Sequence, residues 1–140
     1  MECRFCKIIA HDGEQIIHDT KYALTVLSNP RLMPGHLLVI PKRHVERLSE
    51  LTKEERDGLL EEVVNVQEKI LNSFAKGCDI CQNFRPFIPD SKLKVSHLHF
   101  HLRPRELDDE LYQKSQIHEK EIFRDIEEGE WEKYRELFKD

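Results

Sequence analysis

His97-Leu98-His99-Phe100-His101 places three histidines two residues apart. Successive side chains of a strand point to opposite faces, so the three imidazoles share one face while Leu98, Phe100 and Leu102 share the other. One face reads as core and the other as chemistry. Imidazole is the side chain whose ordinary pKa lies nearest neutrality, and three together offer a nucleophile, hydrogen-bond donors and metal ligands. The plain alternative is a chance run on an exposed strand, in a chain with eight histidines.

Working outward, the periodicity predicts a strand over Val95 to Arg103, preceded by a loop from Arg85 to Leu93 that carries Pro86 and Pro89. Cys78 to Phe84 and Tyr22 to Leu27 read as strands. Pro34-Gly35 turns the chain into the apolar run His36-Leu37-Leu38-Val39-Ile40, which pairs with Tyr22 to Leu27 as a hairpin. Cys3 to Ala10 reads as one or two helical turns stopped by His11-Asp12-Gly13. Thr52 followed by Glu55 is a capping box. It opens a long helix with Leu59, Val63, Val66, Ile70 and Phe74 at helical intervals, closed by Lys76-Gly77. Beyond Pro104 the chain reads as amphipathic helix divided by Gly129. These elements predict an α+β fold with helices on one face of a sheet.

A chain of 140 residues is the size of one domain and long enough to bury a core without disulfides. No apolar run approaches the roughly 20 residues that span a bilayer, and Met1-Glu2-Cys3-Arg4 opens no apolar leader. Four cysteines without an export signal point to reduced thiols in the cytoplasm. The net charge of -5 hides an asymmetry, because Glu106 to Asp140 holds thirteen acidic residues against six basic ones. Arg85, Lys92, Lys94, Arg103 and Arg105 meet only Asp90 around the histidines, a locally positive segment suited to phosphate. A membrane partner is excluded, and the lack of an extended basic surface argues against nucleic acid.

Cys3-x-x-Cys6 is half of a tetrahedral metal site. Cys78-x-x-Cys81 offers a second pair, but positions i and i+3 of a strand face opposite ways, so these two read as buried structural thiols. His44 and His97 are then the natural remaining ligands. For catalysis, His99 has a histidine on each side and is the candidate nucleophile. Attack requires its other ring nitrogen to be held as a donor, usually by a backbone carbonyl, while donors such as His101 and Lys94 neutralise the phosphoryl oxygens.

Pro34-Gly35-His36-Leu37-Leu38-Val39-Ile40-Pro41-Lys42-Arg43-His44, Gln82-Asn83 and His97-Leu98-His99-Phe100-His101-Leu102-Arg103-Pro104-Arg105 together resemble the histidine triad (HIT) superfamily. The resemblance runs from Cys3 to about Arg105. Outside the resemblance, the acidic helical C-terminal extension over 106–140 is expected to pack on the same domain; within residues 1–105 the resemblance implies a HIT-like fold with a five-stranded antiparallel sheet and a long packing helix. It also implies a homodimer through the long helix and a strand. The implied activity is a nucleotidyl hydrolase cleaving at the α-phosphate through a covalent intermediate on His99, with His101 binding the phosphate or assisting the leaving group. Substrates would be dinucleoside polyphosphates or nucleoside phosphoramidates. A structural zinc would be held by Cys3, Cys6, His44 and His97. The base pocket would fall on Phe5, Ile8, Ile9 and Leu27, and the ribose position on Ser28 with Asn29. Asn83 and Lys94 complete the candidate nucleotide-binding set.

The sequence departs from that pattern before the triad, where Lys92-Leu93-Lys94 stands in place of Gly-Gln followed by Ser, Thr or Glu. Lys94 is expected to take over phosphate contact. The same departure sustains a rival reading, a nucleotide-binding protein with little or no turnover.

Overall fold

The computed structural model describes residues 2–11 and 13–140; Met1, and Asp12 of the expected stop, lie outside the described residues. The chain divides into two compact units, Met1–Leu107 and Asp108–Asp140. In chain order the first unit contains α1 (Arg4–His11), β1 (Ile16–Asp19), β2 (Ala23–Leu27), β3 (Leu37–Pro41), α2 (Lys53–Ser73), β4 (Gly77–Cys81) and β5 (Phe100–Arg105). Its five strands form one antiparallel sheet in the order β1-β2-β3-β5-β4.

The apolar run that forms β3 is buried at every position, as a central strand covered on both faces must be. Leu37 and Val39 face one side with Ala23 and Leu102, where Leu59, Val63, Val66 and Ile70 of α2 cover them. Leu38 and Ile40 face the other with Leu24 and Val26, under Phe5, Ile8 and Ile9 of α1. The two helices therefore lie on opposite faces, which corrects the one-face expectation: α1 is short, but its three apolar residues form a complete packing stripe. Leu98, Phe100 and Leu102 all join the α2 side, as the alternation requires.

The capping box forms as expected. Thr52 Oγ1 accepts from the Glu55 amide at 3.1 Å, and the Thr52 amide donates to Glu55 Oε1 at 2.9 Å. The same carboxylate receives Arg43 at 2.8 and 3.0 Å, which ties the segment after β3 to the start of α2 and fixes the approach to His44. Pro34-Gly35 makes its turn with Gly35 at φ +78°, where any side chain is strained and a Cβ would meet the Phe74 ring at 2.6 Å.

The histidine strand starts later than its periodicity predicts. Ladder pairing begins at Phe100 opposite Val39, and upstream the Leu98 amide donates instead to the Val45 carbonyl at 2.7 Å. Cys81 pairs with His101, so β4 also ends where its partner does, short of Phe84. Cys78 and Cys81 are half-buried rather than buried, because β4 is a sheet edge. β1, which the sequence reading passed over, is a four-residue edge strand with one half-buried position followed by three exposed ones. The second unit contains α3 (Glu110–Lys114), a 3-10 segment Gln116–Glu121 and α4 (Glu130–Leu137), with Gly129 at the N-cap of α4.

Candidate active site and metal centre

Each of four histidines has one ring nitrogen committed to a fixed partner, and that commitment decides what the other nitrogen can do. His99 Nδ1 lies 2.7 Å from the His97 carbonyl oxygen. A carbonyl only accepts, so the proton is on Nδ1 and Nε2 carries a lone pair. His97 Nε2 lies 2.9 Å from the Pro41 carbonyl, which puts its proton there and leaves Nδ1 as the lone-pair nitrogen. The Leu32 amide donates to His36 Nδ1 at 3.1 Å, so His36 is protonated on Nε2 and donates to His101 Nδ1 at 2.9 Å. His101 is thereby left with its N–H on Nε2. The result is a free lone pair on His99 Nε2, another on His97 Nδ1 and an N–H on His101 Nε2.

Burial is the leading cause that keeps these rings neutral. It lowers His99 from the ordinary imidazole value, partly offset by the bond to the His97 carbonyl. Burial, then the neighbouring Arg103 charge, pushes His36 down to about 4. Burial, then His99, His36 and Arg103, pushes His101 down to about 3. A neutral His101 acts as a donor rather than as an acid.

His99 and His101 open into a cavity of about 470 Å³. Phe5 stands edge-on to His99 with ring centroids 5.0 Å apart, and Ile8, Val26, Leu27 and Leu38 extend the apolar wall. Ser28 and Asn29 also line it. Ile9 does not line it; its side chain packs among the core residues under α1. Asn83 and Lys94 line a separate, smaller cavity behind the triad. Lys94 Nζ is taken by Ser96 Oγ at 2.8 Å and by Asp90 at 3.5 Å, so Lys92 is the cation of that segment that lines the main cavity. His36 was given no role in the sequence reading, and Arg103 only a share in the positive segment around the histidines. Arg103 was nevertheless legible, as the next alternate position after His97, His99 and His101.

Cys3 Sγ, Cys6 Sγ, His44 Nδ1 and His97 Nδ1 lie within 4.8 Å of one another. His44 Nδ1 and His97 Nδ1 are 3.1 Å apart, and His97 Nδ1 already carries a lone pair. Two thiols and two imidazoles converging in this way are a tetrahedral donor set of the kind zinc takes. Burial, then the bond to Cys3, raises the Cys6 thiol to about 11, so a thiolate here requires a cation to stabilise it.

Residues 11–108 match the HIT domain family. The chain belongs to the HIT family. It is 34% identical over 96 residues to the bis(5'-nucleosyl)-tetraphosphatase (asymmetrical) of Schizosaccharomyces pombe, a match covering 66% of this chain and 50% of that relative. It is 31% identical to the adenosine 5'-monophosphoramidase hnt1 of the same organism, over 75% of each chain. Among solved structures, a Zn-bound histidine triad family protein from Mycobacterium smegmatis superposes with a TM-score of 0.67 at 29% identity, covering 79% of this chain and 80% of that one. Among the described residues no helix is long and apolar enough to cross a membrane.

Because His36 and His101 are held below the ordinary imidazole value, the unfolded chain binds protons first as pH falls. Their contribution to stability is present above about pH 6.5 and is lost as pH falls through the folded-state values. Urea unfolding at pH 7.5 and pH 5 is expected to show a smaller acid loss for His36→Asn than for wild type. Equal losses would contradict the assignment.

Proposed function

We propose that the protein is a nucleotidyl hydrolase acting at an α-phosphate through a covalent intermediate on His99, on dinucleoside polyphosphates or nucleoside phosphoramidates. The observation that carries this reading is the bond between His99 Nδ1 and the His97 carbonyl, which leaves the Nε2 lone pair free at the cavity. Nε2 attacks phosphorus, the N–P bond forms, and the bond to the leaving group breaks with its electron pair. A phosphate leaving group departs as an anion and needs no proton, whereas an amine leaving group takes one up from water in the open cavity as the P–N bond breaks. His101 Nε2–H donates a hydrogen bond to a phosphoryl oxygen as charge builds there. Water then attacks phosphorus, the pair of the N–P bond returns to Nε2, and the released proton passes to solvent.

In the same proposal the nucleoside lies against Phe5, Ile8 and Leu27, with Ser28 and Asn29 beside it. Cys3, Cys6, His44 and His97 would hold a structural zinc. A metal held there would cross-link the start of α1, the segment after β3 and the triad, and would contribute to folding. The homodimer belongs to the proposal too. It is supported by the open edge of β4 and by the exposed Leu60, Val64 and Leu71 of α2 with Phe74 at its C-cap, an apolar row that a second copy would cover. A cytoplasmic setting completes it. The placement of Lys94 against Asp90 keeps one rival in view, a nucleotide-binding protein with little turnover.

Wild type is expected to release AMP from a diadenosine polyphosphate or adenosine phosphoramidate. His99→Ala should release none, and His101→Ala should be slower by about 10²–10³-fold, as for loss of one charge-stabilising donor. Equal rates for wild type and His99→Ala, in protein that binds AMP, would move the function to binding alone. Metal analysis of protein purified without added zinc is expected to find about one ion per chain. No metal, together with Cys3→Ser and Cys6→Ser variants as stable as wild type, would remove the site.

A further inference from the structure

The cavity holds more positive charge than one reacting phosphate uses. Arg4, Lys7, Arg31, Lys92 and Arg103 line it, and among the described residues no carboxylate does. Arg4 and Lys7 have other partners: Arg4 donates to the Ser91 and Lys92 carbonyls, and Lys7 pairs with Glu2. Arg103 differs, because its Nε is buried with no hydrogen-bond partner among the described residues. A buried, unsatisfied guanidinium nitrogen is costly unless a ligand completes it.

Strand register places this group. Leu37 pairs with both Leu27 and Leu102, so one step further Ser28, His36 and Arg103 stand in one row across β2, β3 and β5. The Ser28 amide donating to the His36 carbonyl at 2.9 Å continues that row. Arg31 reaches the cavity from the adjoining turn. The acid opposite Arg103 on the other side is Asp79, and its carboxylate is taken by Arg105 at 2.5 Å. The Ser28 hydroxyl donates to the Pro30 carbonyl at 2.9 Å. His36 and His101 are neutral, so the fixed charge of this corner is that of the two arginines.

The Arg103 Cα lies about 7 Å beyond that of His101 along β5, at twice the rise of roughly 3.4 Å per residue, and the His36 ring of the same row touches His101 at 2.9 Å. A corner that recognises a sugar diol presents a carboxylate, whereas an arginine in such a place takes a phosphate through its planar fork.

We propose that Arg103, with Arg31 and the His36 row, forms a second phosphate subsite in this cavity, so that the preferred ligand is a nucleotide carrying a further phosphate remote from the reacting one. This rests on the reading of the cavity as a nucleotide site. The further phosphate comes either from the ribose, as a 2'- or 3'-phosphate, or from an extended phosphate chain.

Calorimetric titration of full-length protein with AMP, adenosine 2',5'- and 3',5'-bisphosphate, ADP and ATP tests it. At least one of the doubly charged classes is expected to bind tenfold or more tighter than AMP. Gain with the bisphosphates assigns the ribose as the source, and gain with ADP and ATP assigns the chain. Arg103→Met should bring the ratio to AMP close to one, and Arg103→Lys should restore part of it. Arg31→Ala, at an exposed turn where folding is not at risk, should lower the same ratio. A gain that survives all three variants, or no gain in protein that binds AMP, overturns the subsite alone. Failure to bind AMP overturns the nucleotide reading and the subsite with it.

Discussion

The hydrogen bond from His99 Nδ1 to the His97 carbonyl is the constraint on which the site depends. It joins two residues of one short segment, yet it is possible only because that segment leaves the ladder before Phe100 and folds the His99 ring back on its own backbone. A regular strand through His97 would pair that carbonyl with a neighbouring strand. The tautomer that leaves the Nε2 lone pair free is therefore a consequence of where β5 begins.

The same economy governs the other rings. Pro41, the last residue of β3, offers the carbonyl that turns His97 Nδ1 toward Cys3, Cys6 and His44. The turn that Gly35 permits brings the Leu32 amide to His36, which passes a donor to His101 and leaves His101 facing the cavity as a donor in turn. Three chemically identical side chains acquire three roles because three backbone groups address them differently. α1 and α2 serve this arrangement from opposite faces, one walling the cavity with Phe5 and Ile8 and the other anchoring the sheet through Val63, Val66 and Ile70.

Much of this was legible in the residues. Alternation placed the three histidines opposite Leu98, Phe100 and Leu102, and Thr52 with Glu55 marked the start of α2, because both signals are local and strong. Cys3, Cys6, His44 and His97 converge although up to 94 residues separate them, and the spacing of the two cysteines was the only local hint. What escaped was decided by partners distant in the chain. Lys94 was read as a phosphate ligand from its place before the triad, but Asp90 and Ser96 compete for its ammonium. Ile9 was read as cavity wall, but the helical turn carries it onto the core. Arg103 was read only as part of a positive segment, and its place in the alternate row of the histidines went unused because its change of residue type ended the motif.

The most direct test of the central claim is nitrogen-15 NMR of the histidine rings at neutral pH, which distinguishes the two neutral tautomers by their ring-nitrogen shifts and couplings. The account predicts His99 as the Nδ1–H tautomer and His36 and His101 as Nε2–H, all uncharged. Finding His99 protonated on Nε2, or as an imidazolium, would remove the lone pair from the cavity and contradict it.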